Sequence, residues 1–334
     1  MFLNQYADML NMPIKPLKLS IKDRKIITEL EKNSRQPAAQ IARKTGLSTE
    51  VVNYRLKNMM SRGLIRRNYA IINFGKLGYT LYRILLQLEN ISEKDEDKIV
   101  EYLRSIPRAR WIGVGSGAWD ILMTVQARDV AEFNDIMNGI LNKFGKNIRN
   151  RDITISVIQS IEPPAYLLQE EYRYEHFPIE EHRMKLDSTD YEILELLYKN
   201  ARMPTTEMAA KLDLSSDAVQ YRIKKMVKDK IITRFTCWMD RKLLGYQHYA
   251  VFLRLQHATA EQQERFIRFC ESHPNVAFYA SIIGSWDMQI DIDVEDSAHF
   301  HKVMREMRSK FLDIIRNYET VVIIQDFLCD TKFG

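Results

Sequence analysis

The chain has 334 residues, 46% of them hydrophobic, enough for several packed cores and for two or more domains. Three cysteines (Cys237, Cys270, Cys329) with no C-x-x-C spacing argue against a disulfide framework or a zinc knuckle. No apolar run approaches the ~18 residues of a membrane span, and the opening MFLNQYADMLNMP has no basic leader, so a reducing, cytoplasmic setting and no membrane partner are expected. The net charge of +5 is spread unevenly. Residues 17–79 hold 14 Lys/Arg against 4 Asp/Glu and residues 184–246 hold 12 against 9, while the pieces that follow each are neutral to acidic. Positive charge gathered into two stretches is the footprint of contact with a polyanion.

Residues 1–16 form a short lead-in to which no role is assigned. From Ser20 or Asp23 a helical pattern begins, with Ile26, Ile27 and Leu30 on one side. A second helix starts at Pro37, which suits a first helical turn, and ends before Gly46, which takes a left-handed turn without steric cost. Ser48 then caps a third helix, on which Val52, Leu56 and Met59 make an apolar stripe. A short Gly turn between two helices, the second led by Ser, is the layout of a helix-turn-helix. The outer face of the third helix carries Thr49, Glu50, Asn53, Tyr54, Arg55 and Lys57, side chains of the kinds that reach base edges and phosphates from a helix in the major groove. The β-rich stretch 64–74 is expected to form a hairpin wing, with Arg66 and Arg67 on phosphates.

From Tyr79 the pattern changes to strand, helix, strand, strand, helix, strand, through LYRILLQLE, SEKDEDKIVEYLRSI, RWIGVGS, AWDILMTVQ, DVAEFNDIMNGILNKF and IRNRDITISVIQSI. This split βαβ order gives one antiparallel sheet with two helices on one face. Its strands are apolar on much of both sides, so the bare face needs a cover, for which a second such sheet is the natural choice. Residues 162–183, with Pro163, Pro164, Pro178 and an acidic run, read as a solvated connector.

The whole arrangement then repeats 167 positions on. Pro204 lies under Pro37, and Val219, Ile223 and Met226 under the apolar stripe. Gly245-Tyr246 lies under Gly78-Tyr79, and Trp286-Asp287 under Trp119-Asp120. The phase is held too long for chance. In the second copy Ser215 is the helix cap, and Ser216, Asp217, Gln220, Tyr221, Arg222 and Lys224 are the outer face. Arg234 is the expected wing contact, and Asp213 replaces the turn glycine. The expected domains are a winged helix-turn-helix at 17–78, a ferredoxin-like βαββαβ unit at 79–161, the linker, then the same pair at 184–245 and 246–328. This is an α+β chain duplicated in tandem and able to pair with itself as a pseudo-dimer.

In order and spacing, the helix-turn-helix, wing, βαββαβ unit and Gly-x-x-Asp turn resemble the Lrp/AsnC (feast/famine) family of prokaryotic transcription regulators. The residues that carry the resemblance are Leu19, Asp23, Ile26, Arg35, Ala42, Leu47-Ser48, Val52, Arg55, Ile65, Gly78-Tyr79 and Gly117 to Asp120, each with its counterpart 167 positions later. The resemblance implies binding of double-stranded DNA, pairing through the sheet units, homo-oligomers, and sensing of an amino-acid-like effector near the Gly-x-x-Asp turns. Those turns are Gly117, Trp119 and Asp120, and Gly284, Trp286 and Asp287. It implies no enzyme activity, metal or cofactor.

Two other readings compete. Siroheme decarboxylases share this architecture, but the strands that lead into the Gly-x-x-Asp turns here, RARWIGVGSGAWD and AFYASIIGSWD, carry no histidine. The histidines are expected at the surface. A DNA-architectural protein whose second motif has lost base reading is the other, kept open by the lower charge of copy two. Because Thr49, Glu50 and Asn53 are matched by Ser216, Asp217 and Gln220, an asymmetric operator is expected of a regulator.

Overall fold

The computed structural model describes residues 15–161, 177–178, 184–256 and 258–334. The lead-in and most of the connector lie outside them. The first helix-turn-helix comprises α1 (Ile21–Asn33), α2 (Ala38–Thr45) and α3 (Thr49–Ser61), followed by strand β1 (Ile65–Ile72). Ser20 caps α1 in a capping box with Asp23, and Pro37 stands as the N-cap of α2. Gly46 closes α2 in the left-handed region, and Ser48 Oγ accepts from Val51 N–H at 3.3 Å. The second copy is α6 (Ser188–Lys199), α7 (Thr205–Leu212), α8 (Ser216–Lys228), β7 (Ile232–Met239) and the short α9 (Arg241–Leu244). Asp213 does take the glycine's left-handed conformation, with φ 53° and ψ 47°. Asp is among the few side chains that visit this region at modest cost.

The expected wings are not hairpins. β1 and β7 pair antiparallel with each other, from Arg67 opposite Trp238 to Ile72 opposite Ile232, so one strand from each copy builds a shared ribbon. The cores are exchanged along with the strands. Ile26, Ile41, Val52 and Met59 of the first motif pack with Cys237 and Met239 of β7, and Leu194, Met208, Val219 and Met226 of the second pack with Tyr69, Ile71 and Ile72 of β1. Glu31 on α1, buried, accepts from Thr236 Oγ1 at 2.7 Å and from Cys237 Sγ at 3.1 Å across the same seam, and burial raises its carboxyl pKa. A hairpin needs its partner strand within a few residues, whereas here the partner lies in the other copy.

The first βαββαβ unit is β2 (Thr80–Leu88), α4 (Glu93–Ser105), β3 (Ala109–Gly117), β4 (Ile121–Ala127), α5 (Val130–Phe144) and β5 (Ile148–Ile161), with the two-residue β6 (Phe177–Pro178) beside β5. The second is β8 (Gln247–Leu255), α10 (Ala260–Ser272), β9 (Val276–Ile283), β10 (Met288–Val294), α11 (Ser297–Lys310) and β11 (Ile315–Leu328). Each sheet has the order first strand flanked by third and fourth, with the second outermost. Edge strand β3 then pairs with β11, β9 pairs with β5, and β5 also pairs with β2. The two sheets therefore join at both edges into a closed ring of eight strands. The inward faces from both copies meet there, with Leu85, Trp119 and Leu122 against Phe252, Ile282 and Trp286. Closure leaves each sheet's edges paired, which removes the templates for strand addition that an open sheet presents. After β11 the tail returns to the first copy, and Phe333 is fully buried among Phe74 and Tyr198.

Candidate nucleic-acid interface

The two motifs are fastened to one another by a near-symmetric clamp. Arg35 Nη1 donates to the carbonyls of Ala201 and Met203, the latter at 2.9 Å. Arg202 Nη1 donates to those of Ser34 and Gln36, the latter at 3.1 Å. Ser34 N–H bonds Phe235 O and Ala201 N–H bonds Asn68 O, both at 2.8 Å, so each motif is also stitched to the other copy's strand. Charged donors on carbonyls contribute about 1.5–3 kcal/mol each. Arg35→Ala or Arg202→Ala is therefore expected to lower stability by about 2 kcal/mol, read as a shift in the urea midpoint. Unchanged midpoints in both variants would show that the clamp is only decorative.

Outer-face residues of the third helices divide into two groups. Asn53, Tyr54 and Lys57 on α3, and Gln220, Tyr221 and Lys224 on α8, are exposed. Tyr54 and Tyr221 stand 70% and 69% exposed at equivalent positions, an unusual place for two large rings with nothing over them among the described residues. Thr49 and Ser216 are half-buried at the helix starts, where Ser216 Oγ donates to Thr205 Oγ1 at 2.9 Å. Glu50 and Asp217 are exposed on the first turns, and Ser215 caps α8 by accepting from Ala218 N–H at 3.1 Å.

The arginines expected among the DNA contacts are engaged elsewhere. Arg55 Nη1 donates to Asp23 Oδ1 at 2.7 Å and to Ser20 Oγ at 3.0 Å, tying α3 to the cap of α1. Against the upward push of burial, hydrogen bonds from Ser20 and Arg55 hold the Asp23 carboxyl below its usual pKa. Arg222 does the same in copy two, with Asp187 and Asp190 both at 2.7 Å. Arg66 pairs with Asp240 and with Asp326 (3.2 Å), and Arg67 with Asp330 (2.9 Å). Arg234 is half-buried beside Glu31, with its Nε shut off from solvent. Each of these five arginines has an acidic partner from another segment within reach, so in the DNA-free chain its guanidinium braces the fold, although Arg66 stays exposed. Sequence spacing does not display such partners.

The Gly-x-x-Asp turns have structural work of their own. Asp120 Oδ2 accepts from Leu88 N–H and Asp287 Oδ2 from Leu255 N–H, each at 2.7 Å. Trp119 and Trp286 are buried on the inward face of the barrel, and Trp119 Nε1 donates to Glu319 at 3.2 Å. Gly117 and Gly284 have φ of 133° and 147°, inside the range that disfavours a side chain.

One cluster escaped sequence reading. His248 is buried, not at the surface, as is the ring of His273. Its Nδ1 lies 2.7 Å from Asp293 and its Nε2 3.5 Å from Asp291, while Arg241 Nε reaches Asp293 at 3.0 Å. Burial and then Arg241 push the imidazole pKa down, but Asp293 and Asp291 outweigh both and hold it up at about 9. The 167-residue offset held the signal. His248, Asp291 and Asp293 stand where copy one has Leu81, Thr124 and Gln126.

Comparisons with known proteins agree with this arrangement. Residues 19–66 and 186–233 match the family described as winged helix-turn-helix DNA-binding, and residues 249–333 match the Lrp/AsnC ligand binding domain. The chain is 33% identical over 125 residues to the proline dehydrogenase transcriptional activator of Rhodobacter capsulatus, covering 37% of this chain and 81% of that one. It is 29% identical over 143 residues to the regulatory protein AsnC of Haemophilus influenzae, covering 42% and 93%. A single copy of the repeat thus accounts for nearly all of such a relative. Among solved structures, the siroheme decarboxylase NirDL, crystallised with an iron-uroporphyrin III analogue, superposes with a TM-score of 0.61 over 94% of this chain and 95% of its own, at 11% identity. That likeness is one of fold, both halves included. The chain belongs to the Lrp/AsnC family of helix-turn-helix transcription regulators, with the family's unit present twice.

Proposed function

We propose that this protein is a sequence-specific regulator that binds double-stranded DNA as a one-chain pseudo-dimer, with α3 and α8 as its two readers. The observation that carries the reading is the pair of equivalent, uncovered faces: Asn53, Tyr54 and Lys57 on one helix, Gln220, Tyr221 and Lys224 on the other. Amide side chains pair with adenine edges, while lysines and tyrosine hydroxyls serve phosphates. Lys22, Lys25, Arg43 and Arg62 are also exposed on copy one, and Lys225, Lys228 and Lys230 on copy two, so phosphate affinity falls to these rather than to the braced arginines. The shared ribbon and the arginine clamp fix one motif relative to the other, which supports half-sites at a single spacing. Asn53 against Gln220 makes those half-sites unequal. Effector sensing rests on the ligand-binding match at 249–333. Trp119, Asp120, Trp286 and Asp287 support it poorly, being occupied within the barrel.

Selection from random DNA with the purified chain, at two salt concentrations, tests this. A gapped, asymmetric site is expected, with affinity falling steeply in salt. Asn53→Ala and Gln220→Ala should each relax one position, in opposite half-sites, at a cost of about 1–3 kcal/mol, and Lys57→Ala should weaken all sequences alike and lower the salt slope by about one. Salt-sensitive binding without enrichment would favour the architectural reading. A perfect palindrome would mean that copy one pairs with copy one of another chain.

A further inference from the structure

Where the barrel meets the shared β1–β7 ribbon there is a cavity of about 100 Å³ whose walls include Arg83, Arg110, Asp291, Trp111, Phe278 and Tyr198. It lies on the pseudo-two-fold axis, since three of its wall pairs are counterparts at the 167-residue offset: Arg110 with Ala277, Trp111 with Phe278, Thr124 with Asp291. Two separate identical chains would set each arginine on this axis against its own twin. In the fused chain the counterparts of Arg83 and Arg110 are Ala250 and Ala277. The short Ala277, opposite Arg110 in the repeat, leaves space that Arg83 and Arg110 face.

Neither arginine has all its donors satisfied among the described residues, although Asp291 attracts Arg83 and the Tyr198 hydroxyl faces Arg110. Arg83 and Arg110 are 7% and 9% exposed, and Nη1 of Arg83 with Nε and Nη1 of Arg110 have no acceptor in hydrogen-bonding geometry among the described residues. Aromatic faces shield them: Arg83 lies 5.0 Å from the centroid of Trp111 and Arg110 lies 3.3 Å from that of Phe74. A ring face eases the charge but supplies no lone pair for a donor. The carboxylate in the wall is already engaged, Asp291 Oδ1 by Gln289 Nε2 at 2.8 Å and Oδ2 by His248. Buried charged donors left without acceptors are among the more costly defects a core can hold. An oxyanion between them removes the defect.

We propose that this cavity is a binding site for a small organic carboxylate, of the size of acetate or pyruvate, held by Arg83 and Arg110. The planar guanidinium matches a carboxylate with two parallel N–H bonds. Trp111 and Phe278 give the carbon end an apolar wall. The volume is below the ~150 Å³ that accepts benzene, which suits a ligand of two or three carbons. An outer cleft of about 680 Å³ shares Arg241 and His248 as walls with the cavity, which places two side chains between it and the approach from solvent. The cavity is separate from the Gly-x-x-Asp turns. Tyr69 and Trp238 from the ribbon also line it, so an occupant touches the element that holds both readers.

The test is thermal melting and titration calorimetry of the full chain, without DNA, using sodium acetate and sodium pyruvate, with chloride and inorganic phosphate at matched ionic strength. A saturable rise in melting temperature of about 5 °C at a hundredfold excess over Kd is expected for acetate or pyruvate. Arg110→Met should weaken binding at least tenfold. Ala277→Leu keeps both arginines and fills the space; it should abolish binding while leaving the unliganded melting temperature unchanged or higher, and it decides the matter if Arg110→Met does not fold. No saturable response beyond chloride, a response to phosphate alone, or wild-type affinity in Ala277→Leu would each overturn the proposal. Because no DNA is present, failure here leaves the reading of α3 and α8 standing, and the DNA selection can fail without touching this result.

Discussion

Gly117→Ala is expected to lower stability by about 3–5 kcal/mol, a large part of the ~5–15 kcal/mol that holds a typical domain. The residue ends β3 opposite Val321 of β11, on one of the two seams where the copies join. Its φ of 133° lies where an L side chain is strained, at roughly 1–3 kcal/mol. A Cβ there would also sit 2.6 Å from the Thr320 carbonyl oxygen, and that oxygen is fixed because it accepts from Ala118 N–H at 3.2 Å. Relief requires β3 and β11 to part, which overpacking data place at another ~1–3 kcal/mol. At Gly284 the nearest atoms are Ile153 O at 2.9 Å and Thr154 Cγ2 at 3.0 Å, so Gly284→Ala should cost less than Gly117→Ala. Urea midpoints of both variants decide it. Equal midpoints to the parent chain would mean that the seam yields freely, and the closed barrel would then be a loose association of two sheets.

The second large effect is a fall in stability as pH rises from about 6.5 to about 9. His248 has its folded pKa raised from 6.5 to about 9, so the folded state holds the proton more tightly than the unfolded chain does. The stabilisation is therefore complete below pH 6.5 and is lost as pH climbs through 9. The size is on the order of 3 kcal/mol, from 1.36 kcal/mol per pKa unit. The charged groups around the ring are Asp293 and Asp291 on β10 and Arg241 on α9, with Arg83 next to Asp291. When the imidazolium loses its proton, two buried carboxylates lose a cationic partner and are left beside Arg241, Arg83 and Gln289. His248→Gln should be less stable than the parent at pH 6.5, flatter between pH 6.5 and 9.5, and close to it above pH 10. Parallel stability curves for the two proteins would remove His248 as the cause.

The helix-turn-helix units were readable because their signals are local. Ser20, Ser48 and Ser215 cap helices with their own side chains, Gly46 and Asp213 turn the chain, and the apolar stripes recur every three or four residues. The order of strands and helices from Tyr79 onward was equally plain, as was the need for a second sheet, since the strands are apolar on both faces. The repeat itself, and with it the family, follows from more than twenty identities in one unbroken register on the order of a hundred residues long.

Only the tertiary structure decided who pairs with whom. β1 lacks a local partner and finds β7 instead, so stretches that read as two wings make one ribbon and exchange their cores. Arg55, Arg66, Arg67, Arg222 and Arg234 look alike in sequence to arginines that grip phosphate. What separates them is a carboxylate brought close by folding: Asp23 on the neighbouring helix, or Asp240, Asp326 and Asp330 from a strand end far along the chain. Side-chain type and periodicity fix which face of an element is apolar and where it begins and ends. They carry no information on which distant charge will sit beside a given arginine.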